Sequence, residues 1–470
     1  MLKIYNTLSR KKEVFKPRKG KKVELFVCGP TVYDLSHIGH ARTYIAFDLM
    51  AKYLKEKGYD VFYLQNITDI DDKIIQRAKD LPAGGQGKTT PAKLARFYEK
   101  EYLKDMKTLK VNSVTKYARA TDHIKEIISQ IERLKKKGYA YQINDGIYYD
   151  IKKFKDYGKL SRRTAIQAED GVSRIDESKE KKNKGDFCLW KISKPGEPKW
   201  PSPFGQGRPG WHIEDTAIAE KFFGPQYDAH GGGRDLIFPH HEAELAQMEA
   251  MSGKSPMVKY WLHTGFLTVN GQKMAKSLGN FITIQDFVKQ NSPRTLRFLM
   301  VKNHYRSPID YSENSLTQTK KELQRIDEFI SKLKSLKNKK RVKKVNLFSI
   351  SAYASAFEET VEDDFNTPKA IAVIFELINK TNSLISQNLP TKKEAKNILD
   401  FLKKIDKIFD FIFWPIAKIK PPQNVLRLAE HRQKYRKKKE WQKADETREE
   451  IQKQGWLVED TKEGPKLKHL

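Results

Sequence analysis

The chain reads as an α/β protein: a domain on a parallel sheet that carries an insertion, then an α-helical bundle and a small C-terminal domain. Three observations predict this. The apolar run Val23–Cys28, the turn-rich stretch Gly29–Asp34 and a helix-periodic stretch after Gly39 lead to a second apolar run at 61–65. Strand, helix and strand in about 45 residues make a βαβ unit, which implies a parallel sheet. A glycine turn followed by helical spacing recurs over 228–250, and from about residue 312 the period is helical throughout.

Taken in order, Val23–Cys28 predicts the first strand. Ile45, Leu49 and Tyr53 recur every four residues, so a helix is expected over 39–57, stopped by Gly58. Pro82, Gly84, Gly85 and Gly87 mark a surface loop over 80–91. Residues 93–137 read as helical and charged, and 140–200 as short apolar pieces among charge runs such as Glu177–Lys184. Val258–Thr268 reads as another strand and its exit. In the bundle, Leu323, Ile326, Phe329, Ile330 and Leu333 form one stripe. Thr367-Pro368 reads as a helix start, with threonine as cap and proline at the first helical position, and Thr391 with Glu394 as a capping box. The run Lys332–Lys344 lies between helices, mostly basic and free of acidic residues. Pro421-Pro422 marks a boundary before basic helices and a hairpin of 456–459 with 466–469. The expected divisions are 1–115 and 201–311 for the two halves of the sheet domain, 116–200 for the insertion, 312–420 for the bundle and 421–470 for the last domain.

Composition sets limits on partners. The 470 residues include 90 Lys and Arg against 59 Asp and Glu, a net charge of +31. Such a surplus points to a polyanion, most simply nucleic acid, or else to a surface rich in solvated lysines. Cys28 and Cys188 alone rule out a disulfide framework and any metal knuckle of three or four thiolates, and they suit a reducing compartment. No stretch reaches the ~18 apolar residues of a membrane span. The expectation is a soluble, cytoplasmic chain with no membrane association.

Two motifs carry chemistry. His37-Ile38-Gly39-His40 lies between a strand end and a helix start, where backbone N–H groups and the helix dipole favour phosphate. Gly39 leaves room for a nucleotide, and both imidazoles can donate to phosphate oxygens; the plainer reading is two turn histidines satisfied by backbone. Lys273-Met274-Ala275-Lys276-Ser277 follows the last strand between Gly271 and Gly279. Its two lysines can reach one polyphosphate, or be an ordinary surface pair.

Together these motifs resemble the HIGH and KMSKS signatures of class I aminoacyl-tRNA synthetases. The surrounding stretches are similar to the cysteinyl-tRNA synthetase family: 26–34, Asn66-Ile-Thr-Asp-Ile-Asp-Asp-Lys73, Gly207-Arg-Pro-Gly-Trp-His-Ile-Glu214, His230–Gly233, Phe238-Pro-His-His-Glu242, 304–308 and 363–368. The likeness runs from residue 1 to about 464. It implies a Rossmann-type catalytic domain, ATP and L-cysteine as substrates, tRNA(Cys) as partner and a monomer. It assigns His37, His40, Lys273 and Lys276 to catalysis; His37, Gly39, His40, Gly232, Asp235 and Lys276 to ATP; and Cys28, Thr68 and Trp211 to the amino acid.

The resemblance also implies one zinc ion gripping the substrate thiol, held at Cys28, Asp215, His240 and Glu244, with Mg2+ accompanying ATP. Asp215 stands where the family has a second cysteine; a carboxylate also ligates zinc, though as a harder donor. Cys188 is expected in the core. His212, His230 and His241 are expected as structural groups beneath the pocket, and Ala275 replaces a serine of the family's lysine loop. Two rivals share these residues: a cysteine ligase of mycothiol synthesis, and a tRNA-binding paralogue without catalysis.

Overall fold

The computed structural model describes residues 1–80, 89–163, 178–336, 349–387, 389–415, 421–461 and 464–469. Residues 81–88 of the loop expected over 80–91 and 337–344 of the basic run Lys332–Lys344 therefore lie outside the described residues, as does Glu177; the start of that run, 332–335, is helical rather than between helices.

Five strands form the central sheet: β1 (Lys22–Val27), β2 (Asp60–Ile67), β3 (Lys116–Arg119), β4 (Tyr227–Gly233) and β5 (Val258–Thr264), in the order β5-β4-β1-β2-β3. Every pairing is parallel. Val23 to Val27 are all buried, which is why β1 reads as a continuous run rather than an alternation. The chain leaves β1 toward β2 and β3 on one side and returns to β4 and β5 on the other. The crevice beyond the carboxyl ends of β1 and β4 is therefore a topological switch point. Helix α1 (Ile38–Glu56) crosses from β1 to β2 and presents Ile45, Leu49 and Tyr53 to the core.

Residues 93–137 are not one helical stretch. Helices Pro91–Thr108 and Ile124–Lys136 flank β3, which pairs with β2. β3 is a four-residue edge strand with only Ala118 fully buried, too short and too polar to show a period. It lies beyond residue 115, so the sheet draws on the span expected for the insertion. The insertion supplies Ala140–Ile143, Gly146–Tyr149 and Phe187–Ile192 to a four-stranded antiparallel sheet whose fourth strand, Gly207–Pro209, lies beyond residue 200 in the span expected for the second half of the sheet domain. Cys188 is buried there, as expected. Helices α2 (Ile213–Phe223) and α3 (Glu242–Ser252) precede and follow β4.

Helix α4 (Pro293–Val301) leads to the bundle of α5 (Glu313–Ser335), α6 (Ile350–Glu362), α7 (Thr367–Ser386) and α8 (Lys392–Phe409). The expected stripe of α5 is buried along its length. The capping box of Thr391 and Glu394 forms. At α7 the cap is Asn366 rather than Thr367: its side chain accepts from the Lys369 N–H, and Thr367 is already helical. Arg297 of α4 ties bundle to sheet domain. It pairs with Asp48 of α1 at 2.8 Å and donates to the Phe409 and Leu109 carbonyls, all without solvent.

The chain divides into two units, Met1–Phe413 and Trp414–Leu470. The second has its own small core of Val425, Ala429, Ile451, Trp456 and Val458. It consists of helices Gln423–Lys437 and Trp441–Lys453 and a hairpin of Trp456–Thr461 with Gly464–His469. No helix among the described residues is long and apolar enough to cross a membrane.

Candidate active site

A cleft of about 360 Å³ opens at the switch point, lined by Cys28, His37, His40, Trp211, Asp215 and Lys273 among others. His37 caps α1. Its Nδ1 accepts the Gly39 N–H at 3.1 Å, while His40 Nδ1 accepts the His37 N–H at 3.2 Å. Each ring thus keeps its proton on Nε2. The rings stack at 3.8 Å. Burial, reinforced by the Lys276 charge, lowers the His37 pKa to about 4; burial and then His37 hold His40 well below its usual value. Both are neutral imidazoles that offer an Nε2–H. A Cβ on Gly39 would stand 2.8 Å from the His37 ring.

The two motifs, far apart in sequence, are joined through main chain. Ile38 N–H donates to the Ile282 carbonyl at 3.1 Å and Ile284 N–H to that of Ser36 at 2.8 Å. The lysine loop between is braced by Asn280, which accepts the Ala275 N–H and donates to the Lys273 carbonyl. Lys273 lines the cleft. Lys276 sits at the rim, paired with the Asp34 carboxylate, which does line it.

Four donors converge on the cleft floor. Cys28 follows β1, Asp215 lies in the first turn of α2, and His240 and Glu244 straddle the start of α3. His240 belongs to the kinked turn Ile237–His241 that feeds α3 rather than to a regular helix. Asp215 Oδ2 is 3.2 Å from Cys28 Sγ and 3.0 Å from His240 Nε2, and Glu244 Oε1 is 2.8 Å from that nitrogen. All four are buried. A thiol and two carboxylates packed without solvent repel one another as anions. Burial foremost, with the neighbouring carboxylates, pushes the Cys28 thiol up, and burial carries Glu244 up to about 8. Asp215 Oδ1 is buried with no hydrogen-bond partner among the described residues. One sulfur, one nitrogen and two oxygens around such a centre fit a divalent cation such as zinc. The second ring nitrogen of His240 lies 2.8 Å from His212 Nδ1, the outer support expected of a ligating imidazole.

Trp211 stacks on His240 at 4.2 Å and stands half-exposed over the floor. Thr68 lines the cleft and donates to the buried Glu214 carboxylate, which Asn66 also approaches at 3.3 Å. Gly233 and Asp235 line the cleft. Gly232 is backed instead by His241, 2.8 Å from where a Cβ would stand.

A family model described as the class I (C) tRNA synthetase catalytic domain matches residues 14–321, and a DALR domain matches 356–413. Cysteine–tRNA ligases of Thermococcus gammatolerans and Methanococcus maripaludis are 43% and 45% identical to this chain. Each match spans the whole chain and 99% or 100% of the relative. The chain belongs to the cysteine–tRNA ligase family. Solved structures agree on the fold: methionyl-tRNA synthetase of Mycobacterium tuberculosis, with a TM-score of 0.58 at 15% identity, covers 84% of this chain and 88% of that one. A leucyl-tRNA synthetase of Agrobacterium radiobacter, with a TM-score of 0.61 at 11% identity, covers 84% of each.

Sequence reasoning missed Asp34 as the partner of Lys276 and Glu214 as the anchor of Thr68. Glu214 could have been noted as an acidic residue beside Asp215 in the first turn of a helix whose remaining residues are mostly apolar. His230 and His241 are buried, as expected of structural groups, yet they also touch the Cys28 sulfur. Their Nε2 atoms lie 3.3 and 3.1 Å from it, and with Cys28 and Glu244 they form a second four-donor cluster.

Proposed function

We propose that the protein activates L-cysteine with ATP and transfers it to the 3'-terminal adenosine of tRNA(Cys), acting as a monomer in the cytoplasm. The observation that carries this is the cleft itself, where phosphate-directed groups and a thiol-directed donor set face one space. The cysteine carboxylate attacks the α-phosphorus and pyrophosphate leaves, giving the adenylate; a ribose hydroxyl of the tRNA then takes the acyl group. The carboxylate is already a competent nucleophile, so the protein supplies alignment and charge. His37 and His40 donate Nε2–H to phosphate oxygens, and neutral rings do so without surrendering a proton. Lys273 and Lys276 neutralise the leaving polyphosphate, which ATP brings with Mg2+. Gly39 lets the nucleotide approach, and Gly233 with Asp235 receives the ribose, Gly232 keeping that turn closed against His241.

Cys28, Asp215, His240 and Glu244 would hold zinc, which when bound supplies a soft acceptor for the substrate thiolate that a serine hydroxyl matches badly. Trp211 walls the small side chain, and Thr68, oriented by Glu214, positions the polar end. Cysteine-dependent ATP–pyrophosphate exchange followed by tRNA charging tests it. Both activities are expected. No exchange would mark a binding protein, and exchange with transfer to an amino sugar but not to tRNA would mark the mycothiol-type ligase.

A further inference from the structure

Cys28 and Glu244 serve two clusters at once. On the cleft side Cys28 meets Asp215, and Glu244 turns Oε1 to His240 at 2.8 Å. On the core side Cys28 meets His230 and His241 at 3.3 and 3.1 Å, and Glu244 turns Oε2 to His230 at 3.1 Å. This makes an outer set, Cys28, Asp215, His240 and Glu244, and an inner set, Cys28, His230, His241 and Glu244. The donor atoms of each lie within 4.8 Å of one another. Asp215 and His240 line the cleft; His230 and His241 do not.

The inner imidazoles are oriented as ligating imidazoles are. His230 Nδ1 is 2.6 Å from the Tyr227 hydroxyl. His241 Nδ1 is 2.7 Å from His263 Nε2, and His263 Nδ1 is 2.8 Å from Thr7 Oγ1. Each ring is thus fixed through one nitrogen and points the other at the sulfur, the arrangement that outer partners impose on metal-bound histidine. Donor chemistry separates the two sets. The inner one offers a sulfur, two nitrogens and an oxygen; the outer one trades a nitrogen for a second, harder oxygen, because Asp215 stands where a thiolate would. Zinc favours the softer set. A substrate thiol reverses the order, since it reaches only the outer set and adds the missing soft ligand.

We propose that a single zinc ion rests in the inner set and that the thiol of the incoming amino acid draws it to the outer set, exchanging His230 and His241 for His240 and Asp215. The sets share Cys28 and Glu244, so one ion holding both leaves the other set short of two donors. Serine, lacking a soft donor, leaves the ion inside. This rests on the outer zinc set of the proposed function.

X-ray absorption of the full-length protein loaded with one equivalent of Zn2+ tests it. Without amino acid the ion should show two imidazoles and one sulfur; with saturating L-cysteine, one imidazole and two sulfurs; with L-serine, no change from the first. One imidazole before cysteine is added would overturn the proposal and leave the outer set standing. Two imidazoles that persist after cysteine is added, or two equivalents of zinc bound per chain, would also overturn it. A wild-type protein that retains no zinc would remove both the proposal and the outer set. As a second reading, His230→Gln with His241→Gln should weaken zinc affinity about tenfold or more without cysteine, and far less with it. Unchanged affinity in a variant that still melts cooperatively would overturn the proposal. If the variant does not fold, the wild-type spectra decide.

Discussion

His37 and His40 each give Nδ1 to a backbone N–H, so their protonation is bound to the fold as well as to phosphate. Burial, with Lys276 opposite, takes His37 to about 4; burial, with Arg306 and Arg42 nearby and Asp364 opposing them, takes His304 to about 4. Unfolded, both titrate near 6.5, so between those values the unfolded chain binds more protons. Their contribution is complete above pH 6.5 and is lost as pH falls toward 4. The melting temperature should therefore drop between pH 7 and pH 5, and drop less in His37→Gln; equal drops would show that His37 is not held neutral. Lys276→Ala should leave the melting temperature near wild type, because its exposed pair with Asp34 contributes little to stability. It should lower cysteine-dependent pyrophosphate exchange by about 100-fold or more, the loss typical of one removed transition-state donor. Near-normal exchange would dismiss the role. His37, His40, Lys273 and Lys276 were legible because spacing and flanking glycines announced them. Asp34 and Glu214 were not, since each acts on a residue more than a hundred positions away.

Helices and strands were legible where burial imposed a period. β1, α1 and the α5 stripe announce themselves because one face or both are sealed. β3 does not, because an edge strand of four residues needs only one buried side chain. Longer-range ties left no periodic trace, and Arg297 is the clearest case. A buried arginine inside an apolar helix looks like a surface residue until α1 and the end of α8 close over it. Arg297→Ala would leave Asp48 with Lys52 at 2.9 Å and the Asn112 and Ser113 N–H groups as partners, and the Phe409 and Leu109 carbonyls short of a donor. Chemical denaturation should show a loss of about 2–4 kcal/mol, from the orphaned buried carbonyls and the lost ion pair. A loss under about 1 kcal/mol, the level of an exposed pair, would mean that water reaches the network.

At the scale of the whole molecule, adenylation groups and basic tail lie on different units. Residues 414–470 hold 15 Lys and Arg against 9 Asp and Glu, with five of the six positions 434–439 basic. A chain ending at Phe413 should keep pyrophosphate exchange and lose most tRNA charging. The intact chain's tRNA affinity should fall steeply with salt as counterions are released. Equal loss of both activities in a folded truncation would contradict a division of labour. The parallel sheet and the bundle could be read from the chain. The meeting of residues 36–38 with 282–284 could not, because main-chain bonds carry it and main chain leaves no signature in side-chain type.

That main-chain stitch bears on mutational drift. The lysine loop owes its course to backbone bonds at its exit and to Asn280, which grips the amide of residue 275 whatever side chain that residue bears. Alanine at 275 is then a neutral occupant, and Ala275→Ser should leave the exchange rate where it was. Asn280→Ala should slow it, because the grip itself is gone. Selection on this segment would fall on the amide-binding side chain and the two cations, leaving the position between them free to wander.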